Sequence, residues 1–196
     1  MRVIDDVGNP RIAYSGVVSK AVTPTAEAPG GGPTPRRDAE ADLALVLSFL
    51  NTTDAEEHTD VLDHTEQWRR WCEERGLAQA RDLDAVRDVR DSLRASVTHS
   101  AEDEPRLPAS TLWPLHVTLE TGVPTLSATD ALGAVLAAAV HLVATDHWDR
   151  LKICPADDCL WAFYDRSRNR SRTWCSMQVC GNRKKARSWR ERHTTS

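Results

Sequence analysis

Four of the five cysteines of this 196-residue chain lie within its last 43 residues, as Cys154-Pro155-Ala156-Asp157-Asp158-Cys159 and Cys175-Ser176-Met177-Gln178-Val179-Cys180. Each pair is C-x(4)-C, a spacing that lets two thiolates on a tight knuckle reach one tetrahedral ion at about 2.3 Å. One structural Zn(II) held by Cys154, Cys159, Cys175 and Cys180 is the reading that spacing favours. Two other readings compete with it. Iron also accepts four thiolates, although the closed and evenly split pairs suit zinc better. Paired disulfides would need export, yet Met1-Arg2-Val3-Ile4-Asp5-Asp6 opens no apolar stretch of signal-peptide length. The expectation is a cytoplasmic protein with reduced thiols. Four protein ligands leave no position for water, so the chemistry expected is structural and the chain is not read as an enzyme.

The elements that must hold those sulfurs are sparse in apolar residues. From Arg150 to the end the large apolar groups are few, among them Leu151, Ile153, Trp161, Phe163, Trp174 and Trp189. A segment of that size seldom folds by burial alone. Zinc binding contributes about 10–16 kcal/mol in such peptides, so metal binding and folding should be one event. Leu160 to Asp165 reads as a strand, Arg166 to Ser171 as a polar tip and Arg172 to Trp174 as a returning strand. Ser176 is a good N-cap for a helix reaching about Arg192, whose first turns carry Cys180. The module is thus knuckle, hairpin, helix, a treble-clef-like arrangement.

Charge is divided unevenly along the chain. The whole carries a formal −4, but from Arg150 onward 12 Lys and Arg stand against 4 Asp and Glu, and the remainder carries −12. A polyanion partner for the C-terminal end follows from that asymmetry. Arg166, Arg168, Arg170 and Arg172 occupy every second position, so an extended run would place them on one face. Arg183, Lys184, Lys185 and Arg187 form a second cluster on the expected helix. Arg168, Arg170, Arg172, Arg183, Lys184, Lys185 and Arg187 are therefore the candidate nucleic-acid contacts, since guanidinium forks and ammonium groups match phosphate. The plainer alternatives are a solvated turn with a solubilising helix, and intramolecular masking of the basic module by the acidic remainder.

The residues Cys154, Cys159, Phe163, Asp165, Ser167, Asn169, Ser171, Arg172, Trp174, Cys175, Ser176, Met177, Cys180-Gly181-Asn182-Arg183 and Lys185 resemble, in register, the bacterial CGNR zinc-finger family. Upstream, Leu45-Val46-Leu47-Ser48-Phe49-Leu50-Asn51-Thr52, Trp68, Trp71 and Gly76-Leu77 resemble the start of the ABATE domain that commonly precedes this finger. The resemblance implies a mainly helical N-terminal domain and a stress-linked regulator of transcription. It carries over the four zinc ligands.

Three segments are expected. Residues 1–38 read as a flexible or weakly structured arm, because 20–37 is rich in Pro and Gly. Residues 39–148 read as a helical domain and 149–196 as the zinc module. Apolar spacing predicts helices at Ala39–Leu50, about Asp60–Arg75 with Gly76 as the stop, about Ala80–Val97, and a long one opened by Ser127-Ala128-Thr129-Asp130 and reaching about Asp146. In the last of these, Leu132, Val135, Leu136, Ala139, Leu142 and Val143 should point inward. Leu115, Val117 and Leu119 alternate with polar residues before Gly122, predicting a small hairpin. Cys72 beside Trp71 reads as a core residue rather than a nucleophile. His141 and His147 are six apart and poorly placed as joint ligands, and Gly30-Gly31-Gly32 lacks the lysine of a phosphate loop. The longest apolar run, Ala131 to Ala144, is short of the roughly 20 residues a membrane span needs. The function read from this is a bacterial transcription regulator binding DNA through its finger, with the helical domain sensing or forming a homodimer. The alternatives are RNA binding and a zinc-braced surface for an acidic protein.

Overall fold

The structure is a computed structural model that describes residues 38–80, 82–98, 112–120 and 122–194. The expectations for residues 1–37 lie outside the described residues. The first helix, α1 (Ala39–Leu50), has the predicted bounds, opened by the Asp38 side chain accepting from Glu40 N. Its two buried stripes face different partners. Phe49 packs with Trp68, Trp71 and Val135, while Leu43, Val46 and Leu50 pack with Ala138 and Leu142.

The second predicted helix is broken in two. A two-residue ladder joins β1 (Thr53–Asp54) to β2 (Thr59–Asp60), and one 3-10 turn at Val61–Asp63 precedes α2 (Thr65–Glu73). The cause is Asp60, whose carboxylate caps Leu62 N at 2.8 Å and also takes the buried Arg90 guanidinium at 2.7 Å. That guanidinium further reaches Thr52 Oγ1 at 3.2 Å and Asp91 at 3.0 Å, so its charge is paired and hydrogen-bonded. The predicted stop holds: Gly76 adopts φ 63°, and Leu77 N returns to Cys72 O at 3.0 Å. Trp68 and Trp71 stack at 4.9 Å within the core.

Helix α3 (Leu83–Val97) starts later than its spacing predicts because Asp82 caps Ala85 N at 3.0 Å. The predicted hairpin is β3 (His116–Glu120) paired antiparallel with β4 (Val123–Ser127), turning at Gly122 with φ 85°. Asp130 caps α4 (Ala131–Ala144) through Gly133 N at 2.9 Å. Leu132, Val135, Ala139 and Leu142 are buried as expected, but Val143 faces out at 57% exposure. The alanines Ala137, Ala138 and Ala139 take the inner face instead, which lets α1 approach closely.

From α4 the chain passes through one turn at Trp148–Arg150 into β5 (Leu151–Ile153), which pairs antiparallel with β6 (Ala162–Tyr164). This corrects the strand partner: Arg172 to Trp174 is not a strand, and the returning strand lies before the first cysteine pair. Leu151 and Ala162 are buried in the same cluster as Leu43, Val46 and Leu142. The helical part and the strands of the basic end therefore share one core.

A second seam is polar. Asn51, at the end of α1, donates from Nδ2 to Ala162 O at 2.9 Å and accepts Ala162 N at Oδ1 at 2.7 Å, across 111 residues of sequence. The amide acts as a strand neighbour for β6. Asn51→Ala should lower stability by about 2 kcal/mol, because it strands both backbone groups of Ala162. Urea unfolding should show a lower midpoint at unchanged slope.

Candidate metal centre and basic surface

The β5–β6 hairpin exists to present the first cysteine pair. Between its strands, Cys154 N bonds Trp161 O at 2.9 Å, while Cys159 N and Leu160 N both reach Ala156 O. The turn closes through Leu160 at φ 51°, a left-handed conformation that costs a branched residue free energy. Arg94 of α3 holds it there, donating to Leu160 O at 2.6 Å and to Leu50 O at 2.6 Å. The second pair starts at the extended segment before Ser176, whose hydroxyl accepts from Val179 N at 3.2 Å. Met177–Gly181 forms a wide π-type turn, closed by Gly181 N to Ser176 O at 3.1 Å, and α5 (Asn182–Thr194) follows. The predicted cap is thus in place, with Cys180 in the wide turn just ahead of the helix. A Cβ at Gly181 would stand 2.5 Å from Met177 Sδ, so the glycine allows that close approach.

These two turns bring the four sulfurs of Cys154, Cys159, Cys175 and Cys180 within 4.8 Å of one another. Cys159 and Cys175 Sγ are 3.5 Å apart, and Cys175 and Cys180 Sγ are 3.6 Å apart. The sulfurs of a tetrahedral site with bonds of about 2.3 Å would lie about 3.8 Å apart. All four cysteines are free of disulfides. The donor set therefore fits one structural zinc ion, and its closed tetrahedron supports the fold rather than chemistry at an open position.

Without a cation the thiols resist ionising together. Burial, with hydrogen bonds to the other thiols, pushes Cys175 up, and burial pushes Cys180 up to about 11. At Cys154 burial also acts upward, but hydrogen bonds from the Cys175 and Ala156 backbone outweigh it and the thiol is lowered. Metal binding must expel the remaining protons, so affinity falls on acidification. Cys72 behaves differently: it is buried in the other core, and burial raises it to about 11, as befits a core residue.

The loop from Asp165 to Arg172 is bound tightly and does not extend. Asp165 is fully buried and accepts from Lys152 Nζ at 2.8 Å, Ser167 N at 2.8 Å and Arg172 N at 2.9 Å. Lys152 completes its three donors on Arg170 O and Arg172 O. Burial opposes the Asp165 charge, but the Lys152 and Ser167 hydrogen bonds hold its carboxyl well below the usual carboxylate range. Because that folded value is depressed, the contribution is complete above the unfolded value of 3.8 and is lost only as pH falls through the lower folded one. Arg170 adopts φ 51°, which breaks the alternation expected of its neighbours. The four arginines accordingly do not share one face.

The seven candidate contacts fall into three groups. Arg172 is consumed by the fold: Nε donates to Trp174 O at 2.8 Å, Nη2 to Cys175 O, and the guanidinium covers Phe163. Arg183 is consumed as well, pairing with Asp158 at 2.6 Å and with Glu56 of the β1–β2 connection at 3.1 Å. Arg170 and Arg187 make only long pairs, to Asp149 at 3.4 Å and to Asp157 and Asp158 at 3.7 and 3.6 Å. Arg168, Lys184 and Lys185 are exposed and meet no carboxylate among the described residues. Sequence reasoning missed the Lys152–Asp165 pair, Asn51 and Arg94. Only Asp165 carried a signal, as a lone acid in a basic run.

A zinc knuckle, a hairpin and a basic helix seated on a helical domain define a zinc-finger protein with an attached helical domain. The sequence pattern of the CGNR zinc finger matches residues 150–193. That of the ABATE domain, described as "Putative stress-induced transcription regulator", matches residues 43–146. The second match spans more than half of the chain, and the chain belongs to the ABATE family. No curated protein matches the sequence. No helix among the described residues is long and apolar enough to cross a membrane.

Two measurements probe the centre. Cys175→Ser should drop bound zinc from one per chain to near zero by colorimetric release, with loss of near-ultraviolet signal from Trp174. Lys152→Met should cost about 3 kcal/mol in chemical unfolding by leaving Asp165 charged and unpaired, and adding Asp165→Asn should recover part of it.

Proposed function

We propose that the chain is a DNA-binding transcription regulator whose zinc module meets the phosphate backbone along α5. The observation that carries this reading is one uncompensated face of the helix. Lys184, Lys185, Ser188 and Arg192 border a recess of about 240 Å³ beside Trp174 and Gly181. None of the three cations has a carboxylate partner among the described residues, unlike Arg183 and Arg187 on the neighbouring face. Phosphate would complete what the fold leaves open. Arg168 adds a fourth open cation on the loop, while Arg170 and Arg187 can exchange their long exposed pairs for phosphate at little cost.

Zinc-loaded protein should bind a pool of duplexes at low salt. Lys184→Ala with Lys185→Ala should reduce the slope of log affinity against log salt by about 2 and weaken binding at least about tenfold near 50 mM salt. Arg183→Ala should leave that slope unchanged and lower the melting temperature instead. If the double lysine variant binds as the parent does, the reading fails.

The second reading is a zinc-braced surface for RNA or for an acidic protein. It is favoured by Met177, Val179 and Trp189, each more than half exposed on the same wide turn and helix. Pull-down after DNase and, separately, after RNase separates the readings: DNase alone should release the partner of the first, RNase an RNA, and neither an acidic protein. The helical part is assigned a regulatory role, sensing or homodimer formation. Exposed Val117 and Leu119 on the β3–β4 hairpin support self-association, which sedimentation as a function of concentration would test.

A further inference from the structure

An open cleft of about 570 Å³ lies between α1, the end of α2 and strand β6. That size is within the roughly 300–1,000 Å³ typical of small-molecule sites. One wall is Leu43, Leu47 and Trp71, and the other is Trp161, Phe163 and Tyr164. Three arginines line it, Arg75, Arg166 and Arg172, and no Asp or Glu does. In a chain of net charge −4, a recess whose charged lining residues are all cations selects an anion.

Arg75 and Arg172 are held in place, and all three arginines still have donors to offer. Arg75 lies 4.2 Å over the Trp71 ring, with Nε on Ser48 Oγ, and Nη1 on Trp71 O and 3.5 Å from the Glu74 carboxylate at the cleft's edge. Its Nη2 has no acceptor among the described residues. Arg172 spends Nε and Nη2 on the carbonyls of Trp174 and Cys175, which leaves Nη1 open. Arg166 has one long exposed pair, to Glu40 at 3.3 Å. Guanidinium groups fixed by their other bonds lose little freedom on binding, which favours a small ligand.

We propose that this cleft binds a small organic carboxylate with a flat apolar or aromatic body. The carboxylate pairs with the guanidinium groups, and the body lies between the Trp71 and Trp161 walls. Arg172 joins the site to the second cysteine knuckle, so an occupant touches the helical part and the zinc module at once. The site stands apart from the nucleic-acid reading, and its test contains no nucleic acid.

The test is calorimetry and tryptophan fluorescence on the zinc-loaded full chain, titrated with benzoate, phenylacetate and 2-naphthoate. The controls are 2-naphthamide and inorganic phosphate. At least one carboxylate should saturate with a dissociation constant below about 1 mM. The amide and phosphate should each bind at least about tenfold more weakly than that carboxylate, because one lacks the charge and the other the body. Arg166→Gln, at an exposed position, and Arg75→Gln should each weaken binding about tenfold while zinc stays at one per chain. The proposal is overturned by absence of saturation with all three carboxylates, by equal binding of the amide or of phosphate, or by arginine variants that bind as the parent does.

Discussion

Everything at the basic end of this chain depends on four sulfurs meeting one divalent cation. Among the described residues the cluster around them has Cys154, Phe163 and Cys180 as its only buried members, and even with Leu151 and Ala162 in the neighbouring core this is too little burial to order more than forty residues. The metal supplies the missing free energy by fixing two knuckles that are distant in sequence. The knuckles in turn decide where the polar groups go. Arg183 meets the carboxylate of Asp158 across the two cysteine pairs, which the converged sulfurs bring together, and Arg172 holds the carbonyl of Cys175 within the second. What looks like a basic surface in the sequence is thus partly internal scaffolding of the metal site.

The helical part meets that scaffold by two kinds of contact that complement each other. Apolar burial of Leu151 and Ala162 against α1 and α4 gives attraction without direction. Asn51 and Arg94 give direction, because each bonds to specific backbone groups of the hairpin. The left-handed Leu160 is tolerated where its carbonyl is held by Arg94, which places strain and its compensation on opposite sides of the seam.

How much of this was legible in the sequence follows from how local each feature is. The bounds of α1 and the cap Ser176 depend on neighbours within a turn, and the spacing shows them; for α4 the spacing shows the opening only to within the stretch from Ser127 to Asp130. The cysteine pairs are equally local, and the match between their spacing and tetrahedral geometry held. The partner of β6 was not legible, because Leu151-Lys152-Ile153 is too short to carry an alternation of its own. Nor were the roles of the arginines, since Arg183 and Arg172 look alike to Lys184 in a charge count. They differ because Asp158 and Glu56, the latter 127 residues away, arrive beside Arg183, and because the loop turns Arg172 back onto the carbonyl of Cys175. The break before α2 was hidden for the same reason: Asp60 is drawn off by Arg90, 30 residues on.

Between α4 and β5 there are six residues, Thr145 to Arg150, and they are ordered by a 3-10 turn, with Arg150 Nη1 bonded to Asp165 O and Ser167 O. Such a connection has no slack. A finger on a loose tether explores a volume, and its reach is set by tether length. Here the direction of α5 is a fixed property of the body that carries it. Were two such bodies joined by a two-fold axis, their basic helices would stand at one distance and one angle, and the pair would measure the phase of a double helix rather than merely its charge.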